Sequence, residues 1–136
     1  MFDRSVAKEK FRALNGSQES VEGTAGWFVH HHANALECVE IWSEEIRLSD
    51  AKRCLILVHL ANDILQTSRR KGPEYMQCYS TVLPVALPYC VSMFSLPQKQ
   101  KLQHVIDVWR ERQVSFMFAL TLPHTFLKEV SVQPRA

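Results

Sequence analysis

The chain has 136 residues, of which 46% are hydrophobic and 22% are charged, and its formal net charge at pH 7 is +2. This composition predicts a single globular domain over residues 1–136 and excludes disordered and fibrous classes. The small net charge argues against strong nucleic-acid binding, and no apolar run approaches the roughly 20 residues of a membrane span, which argues against a membrane partner. The four cysteines form no CxxC pair and lie in apolar segments, so we expect buried free thiols in a reducing compartment.

Two short helices open the chain. Residues 3–14 predict the first helix, because three apolar residues recur on one of its faces: Ala7, Phe11 and Leu14. Ser17 is expected to cap a second helix that runs to about Ala33. Gly23 and Gly26 weaken this helix, which predicts close packing or a bend at these positions.

Three consecutive histidines, His30, His31 and His32, lie near the end of this second helix. Consecutive helical residues point about 100° apart, so three in a row cannot share one metal ion. The sequence has no nucleophile–base pairing, phosphate-binding loop or metal-ligand spacing. It therefore predicts a binding module without a metal or cofactor, and not an enzyme.

The longest helical pattern follows a third helix, capped by Asn34, and covers residues 51–73. Asp50 is its expected N-cap, and Gly72-Pro73 ends it. At about 100° per residue, one broad face is apolar: Cys54, Leu57, Val58, Ala61, Ile64, Leu65 and Ser68. The opposite face is polar: Lys52, His59, Asn62, Asp63, Gln66, Thr67 and Arg70. Such a helix is expected to be central in an α-helical domain and packed on more than one side.

The polar face has two interpretations. On the pattern alone it is the solvated side of an amphipathic helix. Such faces are usually rich in Lys and Glu because these residues favour helices, whereas His59, Asn62, Asp63 and Thr67 favour them less. The composition therefore indicates the floor of a ligand groove, where Asn62 and Asp63 offer hydrogen bonds and Arg70 offers a positive charge.

Two further helices are predicted before the C-terminal segment. Residues 74–90 are helical, with Pro84 kinking or splitting the helix and Pro88 ending it or starting a short turn. Ser95-Leu96-Pro97 opens the next helix, since proline is tolerated in a first turn. Its buried stripe consists of Leu102, Val105, Ile106 and Trp109.

The last segment, SFMFALTLPHTFLKEV, is very apolar, and Leu122-Pro123 is expected to start a final helix. Two interpretations stay open for its first part, Phe116 to Leu122. This part either caps the core or forms a surface for self-association.

The stretch LANDILQTSRRKGPEY at 60–75 resembles the central motif of the domain that interacts with the C-terminal domain of RNA polymerase II, abbreviated CID. Other stretches agree in the same order: SQESV at 17–21, WFVHH at 27–31, VEIWSEEIR at 39–47 and VWRERQV at 108–114. The likeness is to the group called regulation of nuclear pre-mRNA domain-containing proteins and covers residues 3–116. Several separated motifs in the right order are far more specific than any one of them.

The resemblance implies an all-α fold of about seven or eight helices stacked into a right-handed superhelix, similar to ENTH, VHS and armadillo domains. It also implies a nuclear protein that binds the heptad repeats of the polymerase tail, Tyr-Ser-Pro-Thr-Ser-Pro-Ser, with a phosphate on the second-position serine. Such a module links transcription to RNA 3'-end processing, termination or tail dephosphorylation. The lack of any alternating strand pattern supports the all-α class independently.

Carried over to this chain, the resemblance implies that Asp63 accepts a hydrogen bond from the hydroxyl of the heptad tyrosine, while Asn62 holds the peptide backbone. Arg112 takes the phosphate with its planar guanidinium. His104, on the same helical row as Arg112, joins the phosphate site. The remaining groove residues are Gln18, His59, Thr67 and Arg70.

Two groove positions depart from the family pattern. His59 stands where a tyrosine is usual and Thr67 where an asparagine is usual, so affinity or phosphate preference can differ while the ligand class stays the same. Arg112 also has an alternative interpretation, in which its stem covers apolar surface and its head group stays in water.

Two other function classes stay open. Endocytic adaptor domains of the ENTH and VHS type resemble this superhelix, but they lack the AND…RKGPE motif, and this chain lacks a basic amphipathic N-terminal helix suited to a membrane. Direct RNA binding occurs in some CID-containing termination factors. Here the one dense basic run, Arg69 to Lys71, has no interleaved aromatic residues for base stacking.

Overall fold

The computed structural model describes residues 2–111, which contain six α-helices and one short 3₁₀ helix. In chain order these are α1 (Arg4–Ala13), α2 (Gln18–His30), the 3₁₀ helix (His32–Asn34), α3 (Ala35–Leu48), α4 (Ala51–Ser68), α5 (Glu74–Met93) and α6 (Leu96–Glu111). No strand occurs in residues 2–111, so the predicted all-α class is confirmed. None of the helices in this range is both long and apolar enough to cross a membrane. The final helix predicted at Leu122-Pro123 and the segment Phe116 to Leu122 lie outside the described residues.

The helices alternate between two layers. In one layer α3 contacts both α1 and α5, and in the other α4 contacts both α2 and α6. Helix α4 also contacts α3 and α5 across the layers. The result is the expected superhelical stack, with α4 in the centre and packed on more than one side.

The apolar face predicted for α4 is buried without exception, from Cys54 to Ser68. Leu55 and Leu60 are buried as well, because neighbouring helices cover α4 on several sides. On the opposite side His59, Asn62 and Asp63 are only half-buried. This face is therefore the one along which α4 meets solvent.

Two buried hydrogen bonds from aromatic side chains fix the relative positions of helices. The indole Nε1 of Trp42 in α3 donates to the Leu57 carbonyl oxygen of α4 at 2.9 Å. The Tyr75 hydroxyl of α5 donates to the Phe28 carbonyl oxygen of α2 at 2.5 Å. Each bond satisfies a polar group that would otherwise be costly to bury.

Arg53, in the first turn of α4, ties this helix to the end of α1. Its guanidinium donates to the carbonyl oxygens of Phe11 and Leu14. These carbonyls lie at the C-terminal end of α1, where the Phe11 oxygen also accepts from the Leu14 backbone N–H. Arg53 therefore caps α1 with a positive charge at the negative end of its dipole.

Helix α5 contradicts the predicted split at Pro84 and the predicted end or turn at Pro88, while the kink predicted at Pro84 stays a prediction. It runs unbroken from Glu74 to Met93 with Pro84 and Pro88 inside, so the helix does not end at Pro88, and it is not split at Pro84. Two features explain this outcome. First, the two prolines are one turn apart and neither is buried, so the missing backbone donors fall on one side of the helix. Second, the apolar residues after Pro88, Cys90 and Val91, are buried, and their packing holds the last turns in place.

For Gly23 and Gly26 the predicted close packing is wrong, while the alternative, a bend, stays a prediction. A Cβ atom built at either position meets no atom of the described residues within 4 Å, so these glycines face open space. Helix α2 ends at His30, three residues before the predicted end near Ala33, and the chain continues as the 3₁₀ helix. All four cysteines are free thiols, and three are buried while Cys78 is half-buried.

Candidate functional site

A groove of about 340 Å³ lies between the start of α2 and the middle of α4. Its lining residues are Gly16, Gln18, Val21, Glu22, Ile56, His59, Asn62 and Asp63. Four of them, Gln18, His59, Asn62 and Asp63, are site residues that the sequence predicts. The structure thus brings together in space residues from two helices that are separated by about forty positions in the chain.

Local capping positions both walls of the groove. The Ser17 hydroxyl accepts a hydrogen bond from the Ser20 backbone N–H and starts α2 directly beside Gln18. The Asp50 side chain accepts one from the Arg53 backbone N–H and starts α4. With the apolar face of α4 buried, the i, i+3, i+4 spacing of His59, Asn62 and Asp63 directs them to the same side.

The amide of Asn62 is held in one orientation by two hydrogen bonds. Its Oδ1 accepts from the indole Nε1 of Trp109 at 2.7 Å and from Nε2 of Gln66 at 3.2 Å. An indole N–H can only donate, which identifies the accepting atom as the carbonyl oxygen of Asn62. The amide nitrogen is therefore left to donate hydrogen bonds into the groove.

Asp63 lines the groove with a carboxylate that takes part in no side-chain hydrogen bond or ion pair found within residues 2–111. Partial burial raises the pKa of this carboxyl, and the nearby charge of Glu22 raises it further. Among the described residues this carboxylate is thus an acceptor without a side-chain partner, and its charged form is less stable than that of an exposed aspartate. A ligand hydroxyl would supply the missing hydrogen bond.

Glu22 faces Asp63 from the opposite wall. Its Oε1 accepts a hydrogen bond from Nε2 of Gln18 at 2.9 Å, one turn earlier in α2. This bond orients the Gln18 amide along the rim of the groove. The α2 end of the groove therefore presents mainly hydrogen-bond acceptors.

His59 marks the side of the groove that is nearer to α6. Partial burial lowers the pKa of its imidazole, and electrostatic interaction with Lys101 and His104 lowers it further. Both of these residues are exposed on α6. The groove thus has carboxylates towards α2 and basic groups towards α6.

Not every predicted site residue lies in the groove. Thr67 and Arg70 are exposed and do not line it, because α4 ends at Ser68 and Arg70 falls in the turn that follows. His104 is near His59 but outside the lining. Arg112 lies outside the described residues, so its role stays a prediction.

The sequence did not predict four of the lining residues, Gly16, Val21, Glu22 and Ile56, or the contact that Trp109 makes with the groove. Glu22 could have been found, because it lies four residues after Gln18 and therefore on the same face of α2. Trp109 was predicted only as a core residue, and it is indeed fully buried. No local pattern relates it to Asn62, since 47 positions separate the two residues.

A second cavity, of about 400 Å³, lies between α3 and α5 in the other layer. It is lined by Ser43, Ile46, Arg47, Val85, Ala86 and Tyr89, none of which the sequence predicts to bind a ligand. The candidate site is therefore the groove between α2 and α4.

Chemically, the α2–α4 groove suits an extended polar peptide. Val21 and Ile56 supply apolar contacts, Asn62 supplies a donor, and Asp63 supplies an acceptor. No group of three or more His, Cys, Asp or Glu side chains that could hold a metal ion occurs in residues 2–111.

Comparison with known proteins identifies similar sequences over most of the chain. The family model described as the CID domain matches residues 5–116. The Homo sapiens protein named regulation of nuclear pre-mRNA domain-containing protein 1B is 34% identical over 113 residues, which are 83% of this chain and 35% of that protein. The Bos taurus protein named regulation of nuclear pre-mRNA domain-containing protein 1A is 33% identical over 83% of this chain and 36% of its own length. The Gallus gallus protein of that name is 32% identical over 83% of this chain and 42% of its own length. The chain thus spans well under half the length of these curated relatives.

Proposed function

The chain belongs to the CID domain family, and from this membership we propose that it is a binding module for the heptad-repeat tail of RNA polymerase II. The proposed ligand is the repeat Tyr-Ser-Pro-Thr-Ser-Pro-Ser with a phosphate on its second-position serine. The chain acts by recognition and not by catalysis.

Asp63 and Asn62 are the proposed anchors of the peptide. The carboxylate of Asp63 accepts a hydrogen bond from the tyrosine hydroxyl, which gives this unpaired acceptor a partner. The free N–H groups of Asn62 donate to a backbone carbonyl of the peptide, since its oxygen is already bonded to Trp109. The tyrosine ring packs on the apolar side chains of Val21 and Ile56.

The phosphate is proposed to lie on the α6 side of the groove. Lys101 and His104 are the basic groups near His59 in the described residues, and Arg112 follows His104 by two helical turns in the sequence. A serine phosphate carries about −1.5 to −2 charge near neutral pH and therefore prefers this side. The tyrosine then lies towards α2, at the acidic end.

One observation carries the proposal more than any other. An Asn62 amide fixed by a buried indole stands beside an Asp63 carboxylate that has no side-chain partner in residues 2–111, both in one groove of a chain that matches the CID family. The bond also satisfies the buried indole, and it fixes the Asn62 amide before a ligand arrives. Fixing the donor in advance reduces the entropy lost on binding, which supports a preorganised site.

Titration with three synthetic peptides tests the proposal. One peptide is unphosphorylated, one carries phosphate on the second-position serine, and one carries it on the fifth-position serine. Isothermal titration calorimetry is expected to give the tightest binding for the second-position phosphate. Equal affinities for all three peptides would contradict phosphate recognition, and no binding to any of them would contradict the proposed ligand.

The two other function classes predict different outcomes. An ENTH- or VHS-type adaptor would sediment with liposomes and ignore the heptad peptides. An RNA-binding domain would bind RNA more tightly than any peptide, with a strong dependence on salt. Each result would replace the proposal, so the liposome and RNA assays belong beside the titration.

The relatives' names refer to regulation of nuclear pre-mRNA. On this ground we infer a nuclear location and a role in coupling transcription to RNA 3'-end processing, termination or tail dephosphorylation. Self-association through Phe116 to Leu122 stays a prediction, which analytical ultracentrifugation of the chain can test.

A further inference from the structure

The α2 end of the groove carries more negative charge than binding a tyrosine hydroxyl requires. A single carboxylate, that of Asp63, is enough to accept one hydroxyl hydrogen bond. Glu22 nevertheless lines the same groove from the opposite helix and is close enough for its charge to affect Asp63.

Among the eight lining residues no lysine or arginine balances these two carboxylates. His59 does not balance them either, because partial burial and electrostatic interaction with Lys101 and His104 lower its pKa and favour the neutral imidazole. Gln18 offers only a neutral amide, one N–H of which is already bonded to Glu22. The charge of Glu22 therefore acts on whatever group the ligand places beside Asp63.

We propose that Glu22 is a specificity-determining residue, which makes the α2 end of the groove favour a cationic or uncharged hydrogen-bond donor and reject an anion. This inference rests on the proposed function, since it assumes that the tyrosine ring of the peptide reaches Asp63. It adds a residue and a selection rule that hydroxyl recognition by Asp63 alone does not require.

The physical basis is the partial desolvation of the groove. Charges interact more strongly where water is displaced, and a bound ring displaces water from between Glu22 and Asp63. A donor at the end of the ring then satisfies one carboxylate and is attracted by the other. An anionic group at that point is repelled by both, and its own desolvation is left without compensation.

A set of phosphorylated heptad peptides with a single aromatic residue tests the inference directly. The first peptide keeps tyrosine, the second has 4-aminomethylphenylalanine, and the third has 4-carboxyphenylalanine. These residues place a hydroxyl, an ammonium or a carboxylate at the same end of the ring. Fluorescence anisotropy then measures the affinity of each peptide.

The decisive variant is Glu22→Gln, which removes the charge but keeps an oxygen that can accept the hydrogen bond from Gln18. The matched control is Glu19→Gln, in the exposed first turn of the same helix and outside the groove lining. Both variants lose one negative charge from α2, so a change in the electrostatic field of the whole protein affects peptide binding by both alike.

For the unmodified chain we expect the ammonium peptide to bind more tightly than the carboxylate peptide. In Glu22→Gln the ratio of the ammonium-peptide affinity to the carboxylate-peptide affinity is expected to shrink by about threefold to tenfold. The size of this change lies between the effect of an exposed ion pair and that of a charged hydrogen bond. The tyrosine peptide should change less, because Asp63 still accepts its hydroxyl. The Glu19→Gln control should keep the original ratio.

Three outcomes would overturn the inference. The ratio could stay the same in Glu22→Gln, or it could fall as much in Glu19→Gln, which would indicate a long-range field and not a local contact. In either case normal binding of the tyrosine peptide leaves the proposed function intact. If none of the three peptides binds the unmodified chain, the proposed function fails and this inference fails with it.

Discussion

The indole of Trp109 in α6 donates a hydrogen bond of 2.7 Å to the side-chain oxygen of Asn62 in the middle of α4. This contact links the last described helix to the floor of the groove. It makes the orientation of the Asn62 amide, a proposed peptide contact, depend on a buried core residue of another helix.

Replacing Trp109 by phenylalanine tests this dependence. Trp109→Phe keeps an aromatic ring in the core but removes the donor, so Asn62 loses one of its two orienting bonds. We expect unfolding in urea to show a loss of about 0.5–1.5 kcal/mol for the hydrogen bond, with a further loss for the smaller ring. Calorimetry should also show weaker binding of the phosphorylated heptad peptide.

Trp42→Phe is the matched control, because Trp42 makes a buried indole hydrogen bond of 2.9 Å to the Leu57 carbonyl, away from the groove lining. Both variants are expected to lose stability. Only Trp109→Phe should also lose affinity in the folded protein. An equal loss of affinity in both would mean that general destabilisation, and not the position of the Asn62 amide, weakens binding.

Asp63→Asn should separate binding from stability. Burial and the charge of Glu22 raise the pKa of Asp63. A carboxyl whose pKa rises on folding destabilises the fold at pH values above that pKa, and this penalty disappears as pH falls through it. At neutral pH the asparagine variant should therefore melt at the same temperature or higher. Its peptide affinity should fall by about 1–3 kcal/mol, because a charged acceptor is lost.

The same shift predicts a pH dependence of binding. As pH falls, Asp63 takes up a proton at a higher pH than an exposed aspartate and loses its role as a charged acceptor. Peptide affinity of the unmodified chain should therefore decline on acidification, and Asp63→Asn should not show this part of the decline. Asp107→Asn, on the exposed side of α6, is the control that should leave binding unchanged.

Gly23→Ala and Gly26→Ala should each stabilise the chain by about 0.4–1 kcal/mol. A Cβ at either position enters open space, while alanine restricts the unfolded chain and favours the helix. Gly72→Ala should do the opposite, since Gly72 has φ 138° and a Cβ there meets the carboxylate of Glu74. Urea denaturation of the three variants checks the sign, and a loss of stability at Gly23 or Gly26 would contradict the open environment.

His59→Tyr should tighten binding of the phosphorylated peptide. His59 is half-buried at the groove, where a larger ring offers more contact surface and a hydroxyl donor. Titration of the variant at neutral pH measures the effect. A drop in affinity would mean that the imidazole itself contacts the ligand and that this chain has a different ligand preference.

Arg112→Ala tests the predicted phosphate contact. Two charge-assisted hydrogen bonds to phosphate oxygens are lost, so we expect a cost of about 1.5–3 kcal/mol for the phosphorylated peptide and little change for the unphosphorylated one. Similar losses for both peptides would favour the alternative, in which the arginine stem merely covers apolar surface. The phosphate contact would then be sought at Lys101 and His104.

The sequence predicts local features of this fold well and distant pairings poorly. The buried face of α4 followed from helical periodicity, because side chains recur every 3.6 residues whatever the rest of the chain does. The groove residues Asn62 and Asp63 followed from their unusual composition on the other face. The bond between Trp109 and Asn62 could not be predicted in this way, since it depends on how α6 packs against α4.

The course of α5 shows the same limit from the other direction. Proline weakens an isolated helix, and on that local ground Pro88 predicted an end. The apolar residues that follow it, Cys90 and Val91, are buried against other helices, and this packing outweighs the local preference. Tertiary packing, and not the local effect of Pro88, therefore decides where α5 ends.

The cap that Arg53 provides ties the first helix to α4, which forms one wall of the groove. No residue of α1 lines the groove, so a shortened chain that starts at Ser17 keeps every residue that lines it except Gly16. It loses the Phe11 and Leu14 carbonyls, however, and leaves the Arg53 guanidinium without these two acceptors at the start of the groove helix. Helix α1 is thus expected to support the shape of the groove without contributing a lining residue.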